Sequence, residues 1–179
     1  MALTVKVDPG EHTIKITKNG YFPIEFSVNV GAGETKNISR TLIPTDACTI
    51  QSVSFSPSSP MAGDKVKATV TVKNNTNTNQ SIKVRFKIPD LDIDQEKYAG
   101  FGAGQQNFTF EFTVSKAGNF GYEIHVYTYV EEHPDGDGYY ETDSRTGTLS
   151  VSESKATITI TTSPSGAAVY IDGVYKGTT

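Results

Sequence analysis

The sequence has no tryptophan, one cysteine and three histidines. A lone cysteine, Cys48, excludes an intrachain disulfide and any metal centre built on several thiolates. It falls in the junction 45–49, just ahead of an alternating segment, and reads as a small buried side chain, not as a reactive thiol. His12, His125 and His133 are far apart and lack the spacing of metal ligands or of a nucleophile motif. No window of about ten residues carries an apolar repeat of 3.6, so little or no helix is expected. No apolar run is long enough to span a bilayer, and Met1-Ala2 leads directly into a strand pattern without a leader sequence. The chain reads as a segment excised from a longer exported protein, making no membrane contact of its own.

Charge is also scarce. The net charge is −4, from 16 Lys and Arg against 20 Asp and Glu. The basic residues alternate with apolar ones on strands and never cluster, which argues against a nucleic-acid surface or a site for anionic lipid. What the chain has in quantity is Thr, Val, Ile, Tyr, Phe, Gly and Asn, a mixture that favours strands and turns.

Alternation carries most of the fold. Leu3, Val5 and Val7 alternate with Thr4 and Lys6, then Asp8-Pro9-Gly10 turns the chain. Ile14 and Ile16 follow, Asn19-Gly20 turns again, and Phe22, Ile24, Phe26, Val28 and Val30 form a further strand. Gly31-Ala32-Gly33 leads to another expected strand over 38–42. After the junction, a second unit shows Ile50, Val53 and Phe55, then Val66 to Val72, Ile82 to Ile88, Phe108 to Val114, Tyr122 to Val130 and a last strand ending near Val151. Residues 89–96 read as an acidic loop and 99–104 as a glycine-rich loop. About seven strands with turns at this spacing predict an immunoglobulin-like sandwich. The Cys-Trp-Cys core of antibody domains is absent, and fibronectin-type and other Cys-free sandwiches remain open.

The flanks resemble the PEGA family, small β domains of prokaryotic surface proteins. Ser163-Pro164-Ser165-Gly166-Ala167, then Val169-Tyr170-Ile171-Asp172-Gly173 and Gly177-Thr178-Thr179, look like the first half of that motif. Ser165 stands where the family's name has Glu. The continuation lies at the other end of the chain, as Ala2-Leu3-Thr4-Val5, Pro9-Gly10-Glu11-His12-Thr13-Ile14 and Lys18-Asn19-Gly20-Tyr21. The resemblance implies an all-β chain with the second half of a PEGA-like domain at 1–44, a sandwich at 49–151 and the first half at 155–179. The middle is loosely similar to the adhesion-type domains that archaeal and bacterial surface proteins string together. An extracellular or cell-surface location follows from the resemblance.

Each half alone has too few strands to bury an apolar face and leaves strand edges unpaired. A sandwich with an odd number of strands sends its termini out at opposite ends, about 25–35 Å apart for strands of eight to ten residues. The junctions are too short to cover that gap. The expectation is therefore head-to-tail assembly with other copies into a fibre, by strand complementation. The expected interface comprises Leu3, Val5, Val7, Ile14, Ile16, Tyr21, Phe22, Ile24 and Phe26 from one half. From the other it takes Ile158, Ile160, Ala167, Val169, Tyr170 and Ile171. Closure within one chain and a reciprocally swapped dimer stay open as alternatives. A long Gly/Ser insertion after Leu42 separates closure from fibres.

The chemical candidates are weaker. Asp90, Asp92, Asp94 and Glu96 are spaced like calcium ligands, but an EF-hand loop needs Gly and Glu where Gln95 and Phe101 stand. Asp135, Asp137 and Glu141 are candidate calcium ligands, although Asp-Gly repeats in a hairpin turn explain them as well. No other cofactor is expected, and no residue is read as catalytic. Gly100 to Gly104 is not a phosphate loop, since no helix follows. Four sequons make Asn37, Asn74, Asn79 and Asn107 glycosylation candidates. Tyr122, Tyr127, Tyr129, Tyr139 and Tyr140 fit a platform for cell-wall glycan, the alternative function from another class. Cross-strand aromatic pairing explains them equally well.

Overall fold

The computed structural model describes residues 3–179, so the Met1-Ala2 start of the first expected strand lies outside the described residues. Those residues form eleven strands, one 3₁₀ turn and no α-helix. Seven strands make the sandwich: β3 (Cys48–Ser56), β4 (Lys65–Asn74), β5 (Gln80–Ile88), β6 (Ile93–Phe101), β7 (Gly104–Thr113), β8 (Gly118–Val130) and β9 (Gly138–Val151). They pair antiparallel in two sheets, ordered β3-β4-β7 and β6-β5-β8-β9.

Alternation decides which faces meet. In β4, Val66, Ala68, Val70 and Val72 are buried while Lys65, Lys67 and Lys73 are exposed. In β5, Ile82, Val84, Phe86 and Ile88 turn inward and Lys83, Arg85 and Lys87 outward. Period-two burial of this kind locks the register, because a slip of one residue would move the whole apolar set to solvent. Phe86 stands at the centre of the core, stacked on Phe110 at 5.3 Å and Phe112 at 5.6 Å between ring centroids. The open side is tied across the sheets: the Ile50 N–H donates to Asp143 at 2.7 Å, and Arg145 donates to the Ile50 carbonyl at 2.7 Å.

The seventh strand, β6, occupies the segment expected as acidic and glycine-rich loops. It is an edge strand, paired only with β5. Its outward carboxylates answer the basic face of β5: Glu96 lies opposite Arg85 and Asp94 opposite Lys87. Arg85 makes a two-pronged contact to Asp94, and Lys83 lies 3.6 Å from Glu96. Asp94 and Glu96, spaced like metal ligands in the sequence, are therefore cross-strand ion-pair partners.

The flanks form two separate hairpins. β1 (Gly10–Ile16) pairs with β2 (Ile24–Val30), and β10 (Ala168–Ile171) with β11 (Val174–Thr178). The second turns on Asp172 and Gly173, with φ of 52° and 76°. Two consecutive positive φ values are what a tight two-residue hairpin turn needs, and Asp-Gly adopts them at low cost. The strands expected at 3–7 and 38–42 do not form. Both segments lack strand pairing, as do residues 155–162. The alternation is present in the sequence, but nothing in the single chain supplies these segments with a partner.

Candidate assembly interface

The half at the start of the chain is fixed to one end of the sandwich. That end carries the β8–β9 loop, residues 131–137, pinned by the Glu132 N–H donating to Asp137 at 2.6 Å. The Glu25 N–H in β2 donates to the Glu132 carbonyl at 2.6 Å. Arg40 grips the Glu132 carboxylate with two donors at 2.6 and 2.8 Å and lies 4.3 Å over the Phe26 ring. Those hydrogen bonds hold the Glu132 carboxyl below the usual carboxylate range. Phe22 packs on His133 at 6.3 Å and Tyr140 at 5.8 Å, and His133 stacks on Tyr140 at 3.8 Å. The Asp135 N–H donates to His133 Nδ1, leaving that nitrogen an acceptor. Behind the joint, the Phe22 N–H donates to Ile43 and the Thr45 N–H to Gly20, folding the hairpin onto the junction.

This joint corrects part of the expected interface. Phe22 and Ile24 are buried within the chain, so these two are not free for a second copy, while Phe26 is half-buried with Arg40 over its ring. Arg40, Glu132, His133 and Tyr140 were not among the expected interface residues. Arg40 and Glu132 are 92 residues apart, and no local pattern links them. The other expected residues are more open. Leu3, Val5 and Val7 are 90%, 66% and 51% exposed, and Ile158, Ile160 and Tyr170 are 68%, 42% and 62% exposed. Ile14, Ile16, Tyr21, Val169 and Ile171 are half-buried and Ala167 is exposed.

The other half leaves from the opposite end. Ser152 closes the sandwich there, its N–H donating to Pro60 and its carbonyl accepting from Ala62, both at 2.9 Å. Beyond it, hydrogen bonds run only inside the half. Thr162 meets Thr179, and the Gly166 N–H donates to the Thr179 carbonyl. Among the described residues no hydrogen bond or ion pair joins 153–179 to 3–152.

Residues 2–46 and 155–179 match the PEGA domain. PEGA domains occur in surface or exported proteins. The two matched segments are the two flanks, which leave the sandwich at opposite ends, the first fastened there and the second joined only through the chain at Ser152. Among curated proteins the chain has no match. Among the described residues no helix is long and apolar enough to cross a membrane.

The remaining candidates scatter. Asp135, Asp137 and Glu141 do not converge: Asp137 caps the loop, while Glu141 accepts from His125 at 2.9 Å on the sheet face. Among the described residues no group of three or more His, Cys, Asp or Glu is placed to hold a metal ion. His12 donates to the Asp8 carbonyl at 2.7 Å, far from the other two histidines in the sequence. Asn74 is buried with its amide fully engaged, so it is no glycan acceptor, whereas Asn37, Asn79 and Asn107 are exposed. The five tyrosines split into three places. Tyr122 joins the core against Phe55 and Phe86, and Tyr140 belongs to the Phe22 joint. Tyr127, Tyr129 and Tyr139 lie on the outer face with Tyr98 and Lys83, and Tyr129 pairs directly with Tyr139 across strands.

Proposed function

We propose that the chain is a structural cell-surface repeat that assembles head to tail. The half at 155–179 of one copy completes the half at 1–44 of the next, and the rebuilt β domain joins sandwiches into a fibre. On this reading the protein is not an enzyme, needs no cofactor and works outside the cell, with other copies of itself as its partner.

One observation supports the reading above the rest: the two matched segments leave the sandwich at opposite ends. β9 has 14 residues, about 45 Å at about 3.3 Å per residue. The first flank docks beside its start and the second departs beyond its end. If 155–162 serve as a strand of the completed domain, only residues 153 and 154 remain as spacer, roughly 10 Å at full stretch. Closure within one chain would need several times that reach. The contact is heterologous, so it propagates unless it closes into a ring.

Light scattering across a concentration series, with negative-stain images of the same samples, tests the proposal. Mass rising with concentration, and filaments with one repeat per chain, are expected; a monomer mass throughout rules it out. An insertion of about 40 Gly/Ser residues between Ser154 and Lys155 spans about 35 Å r.m.s.. It should divert the chain to closed monomers. Filaments unchanged by that insertion would refute the reach argument.

A further inference from the structure

The two flanks are not equivalent partners. We infer that the half at 3–46 is a preformed seat carried rigidly on the sandwich, and that the half at 155–179 is a tethered arm that swings into the seat of a second copy. The inference rests on the head-to-tail reading and adds which part moves and where the order is gained.

Three kinds of contact fasten the seat to the sandwich at one place. These are a main-chain hydrogen bond from Glu25 to Glu132, the two-pronged Arg40–Glu132 pair and the Phe22–His133–Tyr140 aromatic group. The Arg40–Phe26 stack, within the flank, holds Arg40 in position for one of them. Backbone bonds from Phe22 to Ile43 and from Thr45 to Gly20 close the hairpin onto its own junction. The arm has no counterpart to these. Its last anchor is Ser152 beside Met61, and every bond beyond that is internal. An isolated two-stranded hairpin is marginal in water, so the arm gains most of its order only on pairing. An anchored β1–β2 hairpin lowers the entropic cost of capture, since on the seat side only the unpaired run at 3–7 remains to be ordered.

The occupant is a second copy because one family covers both segments. Each segment also keeps an unpaired alternating run for the other: Leu3, Val5 and Val7 on the seat, Ile158 and Ile160 on the arm, all exposed. Unpaired main chain flanked by exposed apolar side chains is what strand addition uses.

Amide hydrogen exchange on the full chain tests this, read beside light scattering on the same samples. In dilute solution the Glu25 amide should exchange at least ten-fold more slowly than the amides of 157–161. Equal protection overturns the inference whether or not the chain assembles. In concentrated samples whose mass has risen, 157–161 should gain ten-fold or more in protection while Glu25 stays constant; the reverse pattern overturns it. Glu132→Ala should speed exchange at Glu25 several-fold and give filaments that bend more, with the mass curve little changed. No change at Glu25 in that variant would mean the joint does not hold the seat. A mass that never rises refutes head-to-tail assembly itself, by scattering alone, and with it the swing into a second copy.

Discussion

The Cys48 side chain is fully buried at the start of β3, beside the Thr128 hydroxyl, which is itself buried and forms no well-placed hydrogen bond. Burial pushes the thiol up to about 11, and the Thr128 hydroxyl offsets this only in part. Below roughly pH 8.5 the thiol is protonated in both the folded and unfolded chain and adds no pH dependence. Between there and about 11 the unfolded chain ionises while the folded one does not, so stability falls as pH rises. A shift of this size is worth on the order of 2 kcal/mol. Urea unfolding of the protein and of Cys48→Ala at pH 8 and pH 10.5 isolates it, because the Lys and Tyr contributions are common to both. The wild type should lose more stability than the variant across that interval. Equal losses would mean that the thiol titrates as if exposed. Thiol reagents at pH 8 should label the chain only once it unfolds.

Among the elements, the β4–β5 connection depends on one side chain. Asn74 donates to the carbonyls of Thr78 and Phe101, both at 2.9 Å, and accepts from the Thr76 N–H and hydroxyl at 2.8 and 2.7 Å. It shapes the polar turn after β4 and fastens the end of β6 to it. Asn74→Ala removes the shared partner of half-buried main-chain groups at Thr76 and Phe101, and a loss of about 1–2 kcal/mol is expected in urea unfolding. A loss under about 0.5 kcal/mol would mean that water replaces the amide freely. In sequence this residue reads only as part of a polar turn and a sequon, because its burial is set by two strands distant along the chain. The strands with clean alternation, β4, β5, β7 and β8, were legible for the opposite reason: each carries its own period. β6 was not, since its outward face is Asp94, Glu96 and Tyr98 and it turns few apolar side chains inward. The signal that could have found it was pairwise, three basic residues on β5 facing two acids at matching spacing. The segments 3–7 and 38–42 show the limit from the other side. Their alternation is real, but strand formation needs an edge, and the single chain does not provide one. The Arg40–Glu132 joint had no local signal at all.

At the scale of the whole molecule, charge is distributed unevenly along the chain. Residues 1–46 hold five Lys or Arg against five Asp or Glu, and residues 155–179 hold two against one. Residues 47–154 hold nine against fourteen, so the sandwich accounts for −5 and the flanks for 0 and +1 of the net −4. The two surfaces proposed to meet are therefore near neutral, and their pairing is driven by apolar burial and main-chain bonds. The sandwiches carry like charge and repel side by side. Ion screening acts on these two contacts differently. The screening length is about 30 Å at 0.01 M salt and about 8 Å at 0.15 M, so lateral repulsion is strong only in the first case. Filaments should stay single at neutral pH and low salt, and should bundle as salt rises or as pH approaches the isoelectric point near 5.4. End-to-end growth should shift by less than about two-fold over the same salt range, since little net charge is brought together there. Mass per unit length, from scattering or from images of unstained filaments, separates the two effects. Bundling at low salt and neutral pH would show that sandwich charge does not space the filaments. A strong salt dependence of growth itself would show that charged groups, not the apolar edges of 3–7 and 155–162, carry the end-to-end contact.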